Sequence, residues 1–159
     1  MRYRALAGLV LTVVLSGCPK EKEDDTLTFA EALQAVEEST LSSQAQSLQS
    51  ASVEITTSFT IGQAVENAAQ EIKDFVGTQL PCAEITLADA TLTVKYGAKP
   101  GNCTYKGHKF SGTHSIQVEK NDQAQVLVHH TWADLTNGVV KLNGTADVTW
   151  DFQELSRKV

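Results

Sequence analysis

A chain of 159 residues with 42% hydrophobic content has the length of one domain and enough apolar residues to bury a sizeable core without metals or many disulfides. Its 13 basic residues stand against 19 acidic ones, a formal charge of −6. Arg2 and Arg4 are the only charges in the first 17 residues, so the remainder carries 11 basic against 19 acidic. That balance excludes nucleic acid as a partner and excludes attachment to an anionic lipid surface through basic charge.

In chain order, Arg2 and Arg4 precede an apolar run over residues 5–15, followed by Ser16, Gly17 and Cys18. Eleven apolar residues are too few for a spanning helix, which needs about 20, but they suit the apolar region of a secretory signal peptide. Leu15-Ser16-Gly17-Cys18 resembles a bacterial lipobox. The resemblance implies cleavage before Cys18, a thioether-linked diacylglyceryl group on its sulfur and acylation of the new amino group. Each buried methylene contributes about 0.8 kcal/mol and one chain holds only reversibly, so two or three chains on one cysteine make a lasting anchor. The expected address is the cell envelope, membrane-anchored and facing the periplasm or the cell surface. Pro19 after the cysteine, where inner-membrane retention uses aspartate, tilts that expectation toward the outer membrane. The expected layout is a signal peptide over residues 1–17, a lipidated cysteine with a charged tether over 18–27, and a single domain over 28–159. The tether "PKEKEDDT" (residues 19–26) reaches roughly 25–30 Å when extended.

Thr28 and Glu31 have capping-box spacing. Phe29, Leu33 and Val36, then Leu41, Ala45 and Leu48, keep a rough helical period, with a break expected near Thr40 in a polar stretch. Val53, Ile55, Thr57 and Phe59 alternate with polar residues and predict a strand. Thr60 and Gln63 offer a second capping box. Ile61, Val65, Ala68, Ile72, Phe75 and Leu80 then predict the cleanest helix, ending before Pro81.

From Cys82 onward strand patterns dominate, separated by turn signals at "GAKPGN", "KND" and "TNG". Cys82 and Cys103 lack Cys-x-x-Cys spacing, and in an exported protein they predict a disulfide. "KFSGTHSIQV" (109–118) is echoed by "KLNGTADVTW" (141–150), each with a glycine where a neighbour crowds the strand or a bulge forms. The apolar residues of 110–118, 126–132 and 140–152 fall on even numbers, so hairpins must pair even with even. A three-residue loop Thr136-Asn137-Gly138, opposing Leu135 to Val139, meets that demand, as does an odd loop at Asn121-Asp122-Gln123. The derived pairing sets His114 opposite His130, Trp132 opposite Gly112, and His130 opposite Gly144. The expected fold is α+β: two N-terminal helical segments on one face of an antiparallel sheet of about five or six strands, mostly a C-terminal meander.

The segments "TIGQAVENAAQEIKDF", "PCAEITLADATLTVKYG", "CTYKGHKFSGT" and "VLVHHTWADLTNGVVKLNGTADVTWD" make the mature chain similar to uncharacterised lipoproteins of myxobacteria. The resemblance covers most of residues 28–151. It implies a shared fold and no activity.

Chemical handles are few. His114 and His130, brought close across strands, suit zinc or copper if a third ligand joins them. Asp134 is one conceivable third ligand; Asp147 falls on the opposite face from His130. Phe110, Trp132 and Trp150 gather on one sheet face, as packing beneath the helices or as a groove for a greasy ligand. Ser111 and Ser115 lie near histidines without a nucleophile elbow or an orienting acid. The expected role is a non-enzymatic envelope protein without a cofactor, structural or protein-binding. The alternatives are a module for a hydrophobic ligand or lipid on the sheet face, and a metal-binding protein through His114 and His130. The expected partners are the membrane, through lipid on Cys18, and an envelope protein.

Overall fold

A computed structural model describes residues 27–57, 65–120, 125–151 and 156–158. Two helices, α1 (Phe29–Ile55) and α2 (Val65–Gln79), precede eight strands. These are β1 (Glu84–Ala88), β2 (Thr91–Tyr96), β3 (Thr104–Tyr105), β4 (His108–Lys109), β5 (Ser111–Lys120), β6 (Val126–Thr136), β7 (Lys141–Asp151) and β8 (Ser156–Lys158). Six strands form one antiparallel sheet in the order β1-β2-β5-β6-β7-β8, and β3 and β4 make a separate two-stranded hairpin. The helices pack on one face of this meander, which is the expected α+β design.

Alternation along the strands builds the core. Leu92, Val94 and Tyr96 of β2, His114, Ile116 and Val118 of β5, and Val126, Val128, His130 and Trp132 of β6 are all buried. Every one carries an even number, and the odd-numbered residues between them are exposed or half-exposed. Helix α2 covers β1, β2 and β5 with Ala68, Ala69, Ile72 and Val76. This is a helical stripe, and each large side chain in it contributes about 1.5–3 kcal/mol by leaving water. Leu80 closes the stripe, fully buried, just before Pro81.

Helix α1 corrects two expectations. It runs unbroken for 27 residues, through Thr40 and on to Ile55. Thr40 and Ser43 turn their hydroxyls back onto the carbonyls of Val36 and Ser39 (2.8 and 2.9 Å), so these polar side chains are satisfied within the helix. Val53 and Ile55 therefore belong to a helix, not a strand. Leu48, Ala51, Ser52 and Ile55 recur at helical spacing and are buried, and this tertiary burial outweighs the weak β-preference of two branched residues. The remainder of that strand expectation from Ser58 onward, and the second capping box at Thr60 and Gln63, lie outside the described residues. The first capping box is present: Thr28 Oγ1 accepts the Glu31 amide (3.3 Å) and Glu31 Oε2 accepts the Thr28 amide (2.8 Å). Those bonds from Thr28 hold the Glu31 carboxyl below its ordinary pKa.

Cys82 and Cys103 form a disulfide, with Cα atoms 5.4 Å apart across 21 residues of sequence. It clips the base of the β3–β4 hairpin to the start of β1. The hairpin then leans on α1, where Ser47 Oγ meets His108 Nε2 at 3.1 Å and Lys106 pairs with Glu54.

Up to the bulges the sheet register keeps the expected parity but sits two residues away from the derived pairing; beyond them odd residues pair with even. His114 lies opposite Trp132, and Ile116 opposite His130; Trp132 lies opposite Gly144, and His130 opposite Ala146. Leu135 opposes Leu142, not Val139, and the turn spans residues 137–140. A two-residue shift leaves every side chain on its own face, so hydrophobic patterning cannot distinguish the two registers. Bulges choose between them. Asp134 takes φ +53°, which re-aims the strand so that odd-numbered Leu135 turns inward, fully buried. Gly112, at the facing irregularity in β5, has φ +102°, and a Cβ there would stand 2.2 Å from the Asp134 carbonyl oxygen. Gly112 is thus crowded by Asp134 backbone and not covered by Trp132. Its echo Gly144 faces open space. At the β6–β7 turn Asn137 Oδ1 accepts the amides of Val139 and Val140, both at 2.9 Å. The Asn121-Asp122-Gln123 loop lies outside the described residues; Lys120 pairs with Val126 on either side of it.

Candidate functional site

The inner sheet face carries three polar side chains in a row. Tyr96 Oη lies 3.2 Å from His114 Nδ1, and His114 Nε2 lies 3.0 Å from His130 Nδ1. Tyr96 is 4% exposed and both histidines are fully buried. The strands arrange this chain: Tyr96 ends β2, His114 sits two rungs along on β5, and His130 reaches it diagonally from β6. The rings stack as well as bond. His114 and His130 have centroids 5.2 Å apart, and Trp132 lies 5.6 Å from His114 and 6.0 Å from His130. Phe110 closes the other end, 5.3 Å from the Tyr96 ring.

Counting donors and acceptors sets the direction of the chain. A neutral imidazole has one N–H and one bare nitrogen. If Tyr96 donates to His114 Nδ1, then His114 Nε2–H donates to His130 Nδ1, and one group is left over, the His130 Nε2–H. The reverse direction strands both the Tyr96 hydroxyl proton and the bare His130 Nε2, so the first arrangement satisfies more groups. His130 Nε2 and the Trp132 indole nitrogen are both buried without a hydrogen-bond partner. An orphaned buried donor costs about 1–3 kcal/mol, which dense packing around it must offset. Burial holds His114 well below the ordinary histidine pKa, with the neighbouring His130 charge acting in the same direction. Burial likewise lowers His130 from 6.5 to about 4, against an opposing pull from Asp147, and it pushes the Tyr96 hydroxyl up. Both imidazoles are therefore neutral in the folded protein at neutral pH.

This chemistry suits cohesion more than catalysis. The hydrogen bond joining the two rings occupies the nitrogens that a shared metal would need. Among the described residues no group of three His, Cys, Asp or Glu is placed to hold a metal ion. Asp134, the bulged residue, is exposed and meets Asn143 and Lys141. Asp147 belongs to the outer face, bonded at 2.6 Å to His129, the sequence neighbour of His130. Of the aromatic set, Phe110 and Trp132 are buried at 1% and 5% exposure, and Trp150 is half-buried against the same core. Cys18 lies outside the described residues. Tyr96 is the member of the chain that sequence reading missed, because it sits in the apolar alternation of β2 and reads as core.

Two open cavities lie elsewhere. One, of about 360 Å³, runs along α1 past Thr40, Ser43, Gln44 and Ser47 to His108 and Asn137. The other, of about 620 Å³, opens beside Lys73, Gly77, Pro81, Ile85 and Lys99. A different surface stands out on α1. Its C-terminal portion is buried, while Leu27 (67% exposed), Phe29 (80%), Leu33 (54%) and Val36 (64%) face solvent at its start. No helix among the described residues is long and apolar enough to cross a membrane. Comparison of the chain with protein-family models, with curated proteins and with solved structures finds no match in any of the three.

Proposed function

We propose that this chain is a lipid-anchored protein of the bacterial cell envelope whose folded domain is a non-enzymatic, protein-binding module. One observation carries the binding part of this reading. A single helix packs its C-terminal portion into the core and holds Phe29, Leu33 and Val36 out in water, and large apolar side chains grouped on an exposed surface mark contact sites. The buried histidine pair supports the non-enzymatic part. Both rings are fully buried, bonded to each other and to Tyr96, so they offer no open face to a substrate. The anchor rests on the Leu15-Ser16-Gly17-Cys18 pattern and on fatty chains as the membrane grip.

Two measurements test this reading. Radiolabelled palmitate is expected to enter the full-length chain and to be lost with Cys18→Ala, which also shifts the protein out of the membrane fraction. Substituting Leu33→Asp with Val36→Asp is expected to abolish native complexes of the anchored protein while leaving its melting temperature within about 1 °C, since exposed positions far from the core contribute little to stability. Complexes that persist in that double variant would remove α1 as the contact surface.

A further inference from the structure

One set of exposed residues on α1 keeps a regular spacing, with exposed Leu41 lying outside it. Phe29, Leu33, Val36, Thr40, Ser43 and Ser47 are spaced four, three, four, three and four residues apart. That spacing is the seam of a two-stranded coiled coil, which needs a repeat of three and a half residues. On a straight helix these six lie along one side, apolar at the start and small and hydroxylated toward the core. All six are exposed. Ala30 and Ala32 flank the apolar part and let a second helix approach closely. Glu31 and Glu38 fall on the side away from the seam.

We propose that the occupant of this seam is a second copy of the same chain, its α1 lying parallel and in register. The inference rests on the lipid-anchor reading for its geometry. Ten residues (18–27) separate the anchoring sulfur from the helix cap, a reach of at most about 35 Å. Two copies held in one leaflet therefore begin their helices within that reach of the same bilayer, each tethered to it by its N-terminal end. Parallel pairing brings each seam residue against its own counterpart, as two-fold symmetry requires. Phe29, Leu33 and Val36 then bury one another. Thr40 and Ser43 carry the line toward the domain, and the pairing ends at Ser47, where the helix meets its own β3–β4 hairpin through His108.

Charge favours this occupant over the bilayer surface. Helices that lie in a membrane interface carry Lys and Arg on their polar face; α1 contains none, and it carries Glu31, Glu37, Glu38 and Glu54. One apolar heptad, about two helical turns, is a small contact, so co-anchoring supplies the effective concentration that the seam alone lacks.

Cysteine crosslinking of the full-length chain in native membranes tests the proposal. Cys82 and Cys103 are already joined and Cys18 is lipidated on this reading, so an introduced cysteine is the only free thiol. Phe29→Cys and Leu33→Cys are expected to give a disulfide-linked dimer on mild oxidation, and Glu38→Cys only background. Adding Val36→Asp to Leu33→Cys is expected to abolish the crosslink. Monomer at both seam positions overturns the proposal. A crosslink at 33 but none at 29 indicates antiparallel helices and also overturns it, as does a crosslink at 38 as strong as that at 33. The anchor is scored separately. If palmitate enters the protein while position 33 stays uncrosslinked, the pairing is wrong and the anchor stands. If palmitate fails to enter, Cys18 is itself a free thiol, so the crosslinks are repeated with Cys18→Ala: dimer at 29 and 33 then keeps the pairing without the anchor, and monomer overturns the pairing.

Discussion

The two ends of α1 are built from similar residues and live in different surroundings. Leu48, Ala51, Ser52 and Ile55 are buried at 5% exposure or less, while Phe29, Leu33 and Val36 are 54–80% exposed. Composition does not separate them, since both ends carry large apolar side chains at helical spacing. What separates them is whether the sheet lies beneath. The lesson is that a helical stripe states only that a face seeks a partner. Which partner, the same domain or another molecule, depends on where the helix outruns the fold.

The contrast predicts unequal responses. Leu48→Ala is expected to cost about 2–5 kcal/mol, the range for truncating a buried leucine, whereas Leu33→Ala should cost under about 0.5 kcal/mol. Urea titration of the two variants measures the difference, and equal losses would mean that the start of α1 is packed after all. Removing the disulfide with Cys82→Ala and Cys103→Ala is expected to cost about 3 kcal/mol on the chain-entropy model for a loop of this length. The loss should fall on the packed end, because the freed hairpin carries His108 and Lys106 away from Ser47 and Glu54. Hydrogen exchange is expected to show faster opening at residues 47–55 and no change at 29–40.

Acid sharpens the comparison. His130 has a folded pKa of about 4 against 6.5, so the unfolded chain takes up the proton first as pH falls. Its contribution is fully present above pH 6.5 and is lost on going down through pH 4, a change on the order of 3 kcal/mol. His114 acts in the same direction. Thermal melts between pH 7 and 4 should show this decline, and His130→Leu should flatten it. The exposed end of α1 holds no histidine and should not contribute to the slope. The smallest effect is expected at the cap. Thr28→Ala removes the capping box, worth about 1 kcal/mol to its own helix. Because that turn is not packed, the loss should appear as faster amide exchange at residues 29–33 with global stability unchanged.

The sheet was largely legible in the sequence because a period of two survives in the strands that bury one face. The even-numbered residues of β5 and β6 marked the core, and Pro81 marked the end of α2. Helix α1 was harder. Thr40 and Ser43 looked like breakers, but their hydroxyls bond within the helix, and Val53 and Ile55 looked like a strand until the sheet claimed them. The candidate site was half legible. His114 and His130 were expected to be neighbours and are bonded at 3.0 Å, yet across a diagonal and not a rung. Tyr96 carried no signal of its own.

The close approach of Gly112 to Asp134 has a further bearing on how faithfully the meander assembles. Slipping β5 past β6 by two rungs would hide the same greasy side chains and leave the same polar ones wet, so solvent cannot police that error. The task falls to one bare α-carbon, which lets the two backbones touch in a single alignment. Giving position 112 a methyl group would therefore do more than add strain. It would remove the lock that tells the correct alignment from its near twin, and the chain should then settle into a mixture, visible as doubled amide resonances along both strands.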